Sequence, residues 1–121
     1  MSHEIFSIPS SQFTVSKNKN NVIHWDGHFQ GQEVIAALPI GENSQCIILL
    51  NWFQNKKPIR QNLLCARHNG DIIWKIALPN SHDFVVGAQI AGDELFINTW
   101  NGYRMKIDQL TGRILSSEFV K

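Results

Sequence analysis

Gly70-Asp71-Ile72-Ile73-Trp74-Lys75-Ile76-Ala77-Leu78-Pro79 is the stretch on which the reading of this chain turns. Three apolar runs follow it: Phe84–Ile90, Glu94–Trp100 and Tyr103–Ile107. The segment then closes on Thr111-Gly112-Arg113-Ile114-Leu115, which resumes where Asn69-Gly70-Asp71-Ile72-Ile73 began. Upstream, Glu33–Leu38, Cys46–Trp52 and Leu63–His68 trace the same order before reaching Asn69-Gly70. Gly70 and Gly112 lie 42 positions apart (112 minus 70). A fixed period in that range marks a repeated all-β unit.

Apolar residues recur with period two, and the runs lie between turn residues, as strands do. Glu94–Trp100, for example, is bounded by Gly92-Asp93 and Asn101-Gly102. Asn-Gly is the signature of a two-residue type I′ hairpin, which needs positive φ at both central positions. Asn101-Gly102 therefore predicts that Glu94–Trp100 pairs with Tyr103–Ile107. Asn69-Gly70 predicts the same for Leu63–His68 and Asp71–Ala77. Thr111-Gly112 plays this part after Asp108, in a loop lengthened by Gln109 and Leu110.

Cys46–Trp52 is continuously apolar, which suits a strand buried on both faces. Its counterpart in the second copy, Leu95–Trp100, is partly polar, so the two copies are expected to be unequally buried. Between Trp52 and Asn62 the repeat is interrupted. Phe53–Gln61 replaces a tight turn and carries Lys56, Lys57 and Arg60 with a proline, which reads as an exposed cationic loop. Nearer the N-terminus, Glu4–Ile8 and Gln12–Val15 read as strands around Pro9, and Asn21–Trp25 as a strand ending at Asp26-Gly27. No segment keeps apolar residues at i, i+3, i+4 and i+7 beyond one turn. Ten or eleven strands and little helix are expected.

At 121 residues the chain has room for one core. Its 43% hydrophobic content, with four tryptophans and seven phenylalanines, is that of a folded protein. The net charge of +1 argues against a nucleic-acid binder, whose affinity rests on many phosphate contacts, and against polybasic membrane attachment. Cys46 and Cys65 sit in apolar runs without CxxC spacing, so two buried free thiols are expected rather than a zinc site. A disulfide between them is open if their strands are neighbours. Met1–Phe6 has no basic start followed by an apolar segment, and no run reaches the ~18 apolar residues of a membrane span. A cytoplasmic protein is expected.

The pattern Gly-x-Ile-x-Trp…Asn-Gly…Ile-Asp-x-x-Thr-Gly, carried by Gly70, Ile72, Trp74, Gly102, Ile107, Asp108, Thr111 and Gly112, resembles the blade of a quinoprotein-type (PQQ-like) β-propeller repeat. The resemblance is good over Asp71–Phe119, fair over Glu33–Gly70, and absent from the first thirty residues. It implies an all-β antiparallel meander of two propeller-like blades with additional N-terminal strands. The expected division is 1–32 for the N-terminal strands, 33–70 for the first repeat and 71–121 for the second. Propellers close with about four to eight blades. With two, the family's cofactor chemistry does not carry over, and the sheet edges need another cover. The chain is also similar to small bacterial proteins that inhibit toxins of competing strains, in its single motif-free domain and its Thr111–Lys121 tail.

Candidate sites are few. In an extended strand His24, Asp26 and His28 would share one side, and two imidazoles with a carboxylate suit iron or zinc. A turn at Asp26-Gly27 would part His28 from the other two. Nucleophilic catalysis has no Gly-x-Ser-x-Gly elbow to rest on. The carboxylates are scattered singly, so an enzyme is not expected, nor a cofactor. The tryptophans Trp25, Trp52, Trp74 and Trp100 read as core, with Trp52 and Trp100 equivalent in the two copies. The alternative is that one or two anchor a partner, since Trp and Arg dominate interface energetics. Trp100, next to Tyr103 and Arg104, is the best placed for that.

The residues expected to bind a partner are Lys56, Lys57, Arg60, Trp100, Tyr103 and Arg104. The expected activity is non-catalytic binding of a protein, most specifically of a cognate toxin whose active site is occluded. A homo-oligomer that completes a propeller and binds a small ligand is the alternative, and a metal-dependent enzyme a third.

Overall fold

The computed structural model describes residues 2–54, 57–58 and 61–120, with the backbone path alone at 54, 57 and 58. Three strands come first: β1 (His3–Ile8), β2 (Phe13–Lys17) and β3 (Ile23–Asp26). The middle of the chain forms β4 (His28–Phe29), β5 (Gln32–Ile40), β6 (Gln45–Leu50), β7 (Phe53–Gln54), β8 (Lys57–Pro58), β9 (Leu63–Arg67) and β10 (Ile72–Lys75). The last four are β11 (Val85–Ala91), β12 (Glu94–Thr99), β13 (Tyr103–Ile107) and β14 (Ile114–Phe119). Eleven of these are longer than two residues, as the alternation predicts. The one helical element among the described residues is a 3-10 turn at Pro9–Ser11.

The protein is all-β: two propeller-like antiparallel blades with additional N-terminal strands. The N-terminal sheet runs β1-β2-β3, the central sheet β10-β9-β6-β5-β4 and the C-terminal sheet β11-β12-β13-β14. The sheets stack as three layers around two apolar clusters. Phe6, Ile8, Phe13 and Val15 meet Cys46, Ile48, Leu50, Leu64 and Ala66 on one face of the central sheet. Ile47, Leu49, Leu63 and Cys65 meet Leu95, Ile97, Met105 and Ile107 on the other. Alternate residues of β6 and β9 thus feed opposite clusters, which is why these two runs are unbroken in apolar character. By contrast β12 borders one cluster and shows its other face to solvent, so it alternates.

The same alternation settles the cysteines. Cys46 stands opposite Ala66, and Ile47 opposite Cys65, in neighbouring strands. Directly opposed residues share a face, so the thiols belong to different clusters, and both are free and buried. Burial pushes the Cys46 thiol up to about 12 and that of Cys65 to about 11.

The hairpin partners are those the Asn-Gly pairs predict, but the turns are not type I′. Gly102 N–H donates to the Thr99 carbonyl at 3.0 Å, and of the turn residues only Gly102 has positive φ. The loop is therefore three residues, Trp100-Asn101-Gly102, a type I turn closed by a left-handed glycine. His68-Asn69-Gly70 repeats it, with Gly70 N–H donating to the Arg67 carbonyl. The difference matters because the first turn position then belongs to Trp100, whose side chain is projected from the turn instead of into the sheet.

The repeated phrase also acquires a physical meaning. Trp74 of the first blade lies against the 108–113 loop of the second and donates its Nε1–H to the Gln109 carbonyl at 2.7 Å. A Cβ placed on Gly112 would lie 2.5 Å from the Trp74 ring, and Gly112 has φ +77°. Only glycine meets both demands. One period on from Trp74 stands Ser116, so the second blade has no tryptophan to receive a third.

The two outermost faces are polar. On the N-terminal sheet the rows Glu4–Ser16–His24 and Ser7–Thr14–Asp26 face outward. On the C-terminal sheet the outer face carries Asn98–Arg104–Glu118 and Phe96–Lys106–Ser116. Lys106 pairs with Glu94 at 2.9 Å, and the Arg104 guanidinium lies 4.7 Å from the centre of the Phe96 ring. The stack is therefore closed to further blades on both sides.

Candidate functional site

One end of the central and C-terminal sheets gathers the β4–β5 turn, residues 51–53 and 61–62, the 76–84 connection and the 100–102 turn. Here Trp52, Phe84 and Trp100 form a stack bridging the two sheets. Trp52 and Phe84 have ring centres 5.4 Å apart at 19°, and Phe84 and Trp100 5.6 Å apart at 15°. Trp100 is 60% exposed and the neighbouring Phe53 55%. Beside them Tyr103 meets Phe119 edge-on at 5.4 Å. A stacked aromatic cluster left this open to water is unusual on a monomer surface.

Polar groups buried beneath the stack hold it in place. Asn62 is wholly buried. Its Nδ2 donates to the Leu50 carbonyl at 3.0 Å and to the Val85 carbonyl at 2.7 Å. Its Oδ1 accepts from Val85 N–H at 2.9 Å. One side chain thus serves as a ladder rung between the central sheet and β11. Asp83, also buried, accepts from Phe84 N–H at 2.9 Å and Asn101 N–H at 3.0 Å through Oδ1. Trp100 N–H donates to the Phe84 carbonyl at 2.9 Å. Phe84 and Trp100 are therefore fixed through their backbones, which removes much of the ordering cost of binding.

Two open cavities flank the stack. One, about 560 Å³, is lined by amides, among them Gln30, Gln32, Gln61 and Asn80, with Lys75 and Asp83. The other, about 360 Å³, lies between Pro79, Asn101, Tyr103 and Phe119.

The sequence-predicted residues separate. Trp100 and Tyr103 lie at this end of the sheets. Arg104, one residue on, points to the outer face of the C-terminal sheet and lies over Phe96. Lys56 and Arg60 lie outside the described residues, and Lys57 contributes a backbone pairing with Gln54. The segment read as a loop is thus in part a two-stranded ribbon, Phe53–Gln54 with Lys57–Pro58. Of the tryptophans read as core, Trp74 is buried at 7% exposure and Trp100 is not. Trp25 is partly exposed and donates to the Val34 carbonyl at 3.0 Å.

His24 and Asp26 do share the outer face of the N-terminal sheet. The chain then bends at Gly27, where a Cβ would run into the Gln12 carbonyl, and His28 pairs with Glu33 in another sheet. Among the described residues no group of three or more His, Cys, Asp or Glu is placed to hold a metal ion. Asn62 and Asp83 were invisible as site residues because each reads as an ordinary turn residue ahead of an apolar run.

Layered propeller-like blades with an aromatic end define the class of protein this is. A family model described as Domain of unknown function (DUF7957) matches residues 31–119, and the chain belongs to that family. No curated protein sequence matches it. Among solved structures it is similar to the computationally designed Ika8 protein, with a TM-score of 0.55 and 14% identity over 98% of this chain and 37% of that one. It is also similar to BamB from Moraxella catarrhalis, a PQQ-like β-propeller protein, with a TM-score of 0.52 and 12% identity over 100% of this chain and 38% of that one. At such identities the likeness is one of fold. The chain spans somewhat more than a third of the length of either. No helix among the described residues is long and apolar enough to cross a membrane.

Proposed function

We propose that this protein is a non-catalytic protein-binding module, and in its most specific form an immunity-type protein that occludes the active site of a bacterial toxin in the cytoplasm. The observation that carries the reading is the Trp52–Phe84–Trp100 stack, half-buried at Trp52 and Phe84 and ending on a Trp100 ring that is 60% exposed. Its rings are held by a buried polar framework instead of being covered by the core. Rigid, solvent-facing tryptophans are the residues from which interface hot spots are built. Lys56, Lys57 and Arg60 belong in sequence to the connection that follows Trp52 and would steer an acidic partner face. Neither thiol suits nucleophilic work, because burial holds both protonated at neutral pH.

Ring closure by several copies has the polar outer faces against it, since a propeller buries apolar faces between its blades. Light scattering separates a ring from a smaller species.

The decisive test takes the toxin domain encoded beside this gene, where one is present, and titrates it calorimetrically against the protein. The reading expects one-to-one binding with Kd near the nanomolar range and loss of toxin activity. Trp100→Ala is expected to weaken binding by roughly 30- to 150-fold, the equivalent of about 2–3 kcal/mol, with the fold intact. Binding that survives both Trp100→Ala and charge reversal at Lys56, Lys57 and Arg60 would place the interface elsewhere. Absence of any stoichiometric protein partner in native pull-downs would end the reading.

A further inference from the structure

The C-terminal sheet ends on β14, whose outer edge pairs with no strand among the described residues. Among the other edges, β1 is bulged and runs into Pro9, β10 is four residues long with its own bulge, β3 is four residues long, and β11 is bulged between Val85 and Gly87. Two independent constraints show what the β14 edge fits.

The first is backbone parity. Val120 N–H donates to the Gly102 carbonyl at 2.9 Å, and Ser117 and Phe119 stand opposite Met105 and Tyr103. Bonded pairs alternate along an antiparallel ladder. Ser116, Glu118 and Val120 therefore bond to β13, whereas Ser117 and Phe119 turn their N–H and C=O groups to the open edge.

The second is side-chain order. Ile114-Leu115-Ser116-Ser117-Glu118-Phe119-Val120 is palindromic in polarity about Ser117, with two apolar, three polar and two apolar residues. A two-fold contact requires such self-complementarity, because residue i meets j and j meets i.

We propose that β14 pairs antiparallel with β14 of a second copy, Ser117 opposite Ser117, joining the two C-terminal sheets into one. In that register Leu115 faces Phe119 of the second copy, Ile114 faces Val120 and Ser116 faces Glu118. Leu115, Phe119 and Val120, which are 57%, 62% and 53% exposed in the single chain, gain apolar neighbours.

Charge selects this register over the next one of equal parity. Pairing centred on Glu118 would set two carboxylates face to face, which is destabilising. Pairing centred on Ser117 sets each Glu118 against Ser116 of the other copy, whose cross-strand neighbour is Lys106. Pairing centred on Ser116 would leave Phe119 opposite Arg113.

The contact is small, because Leu115 is bulged against β13 and the ladder is confined to the middle of the strand. A Kd of about 1–100 µM is the expected range for an interface on the low side of ~1,200 Å².

The test is sedimentation equilibrium from about 1 µM to about 500 µM, spanning that expected range. The mass should rise from 13.8 kDa towards twice that value. Ser117→Pro removes an N–H that β13 does not use, so it should hold the protein monomeric at every concentration with an unchanged far-UV spectrum. Proline is tolerated on an edge in this position. Should that variant lose its fold, Ser117→Cys decides: mild oxidation should give a disulfide-linked dimer, and Ser116→Cys, which meets Glu118, should not. A protein that stays monomeric at 500 µM (about fivefold above the weakest expected Kd), a dimer that persists in a folded Ser117→Pro variant, or equal cross-linking at positions 116 and 117 would each overturn the proposal. A strand from a different protein that binds this edge while the free chain remains monomeric would also overturn it. These outcomes leave the Trp52–Phe84–Trp100 stack unchanged. Phe119, which meets Tyr103 beside it, is common to both surfaces, so toxin binding is also titrated with the monomeric Ser117→Pro variant, which keeps the two readings separable.

Discussion

Replacing Asn62 by alanine should cost this fold more than any other single polar deletion. The side chain makes three buried hydrogen bonds, to the Leu50 carbonyl and to both polar groups of Val85. A typical buried bond contributes about 1 kcal/mol net, and each partner left unsatisfied costs about 1–3 kcal/mol. Water will reach some of the vacated groups from the adjoining 560 Å³ cavity, so the lower part of the range applies. A loss of about 3–5 kcal/mol is expected for Asn62→Ala. A domain of this size has roughly 6–18 kcal/mol in total, taking about 0.05–0.15 kcal/mol per residue. With an unfolding entropy of about 2.1 cal/mol/K per residue, the same loss lowers Tm by about 12–20 °C. Urea titration followed by circular dichroism measures it, and the m-value should stay constant. Asn62→Asp retains the acceptor for Val85 N–H but loses both donors and sets a carboxylate against two carbonyl oxygens, so it should be at least as damaging at neutral pH. A change below about 1 kcal/mol for Asn62→Ala would refute the idea that this side chain stitches β11 to the central sheet.

Three further outcomes follow from the same geometry. Gly112→Ala forces a methyl into the Trp74 ring at a residue with φ +77° and should destabilise by about 2–4 kcal/mol. Trp74→Leu should partly rescue it in a double-mutant cycle, whereas strictly additive losses would show that the two do not meet. Alkaline pH should weaken the fold through Cys46. Its thiol is raised from 9.0 to about 12 by burial, so above pH 9 the unfolded chain releases a proton that the native one keeps. Stability is then fully present below pH 9 and declines as pH rises towards 12. Cys46→Ala should flatten that decline, and an unaltered slope in thermal melts would contradict the assignment. Trp100→Ala should change Tm by less than about 3 °C, because a 60% exposed ring contributes little burial, yet it should remove the fluorescence component most accessible to iodide. A quenching curve identical to that of the unsubstituted protein would mean that Trp100 is covered.

Much of this molecule is legible without coordinates wherever local rules act. Period-two alternation marks Tyr103–Ile107 as a strand, and that is β13 residue for residue. The unbroken apolar run after Cys46 announces a strand covered on both faces, and two clusters cover it. The Asn-Gly pairs choose hairpin partners because chain reversal is decided within a few residues. The candidate site is less legible. Trp52 and Trp100 read as equivalent core positions of the two copies and Trp74 as core too, but Trp74 is roofed by Gly112 of the next blade whereas Trp100 projects from a turn. Which occurs depends on residues distant in sequence: Gly112 lies 38 positions from Trp74 (112 minus 74) and Phe84 lies 16 from Trp100 (100 minus 84). Arg104 seemed to belong with Trp100 because the two are near in sequence, yet at that point in β13 the pleat sends it to the opposite face.

The sequence by itself determined strand type, hairpin pairing and the repeat, because these follow from alternation, turn chemistry and the fixed spacing of Gly70 and Gly112. Only the tertiary structure decided that the stack of two blades and N-terminal strands ends in polar faces. The outer faces become polar surfaces once the register brings Arg104, Lys106 and Glu118 to one side, and Ser116 stands where a third blade would need a tryptophan. Likewise, only the folded chain brings Trp52, Phe84 and Trp100 into one stack, because the groups that align them, Asn62 and Asp83, act through hydrogen bonds to distant backbone.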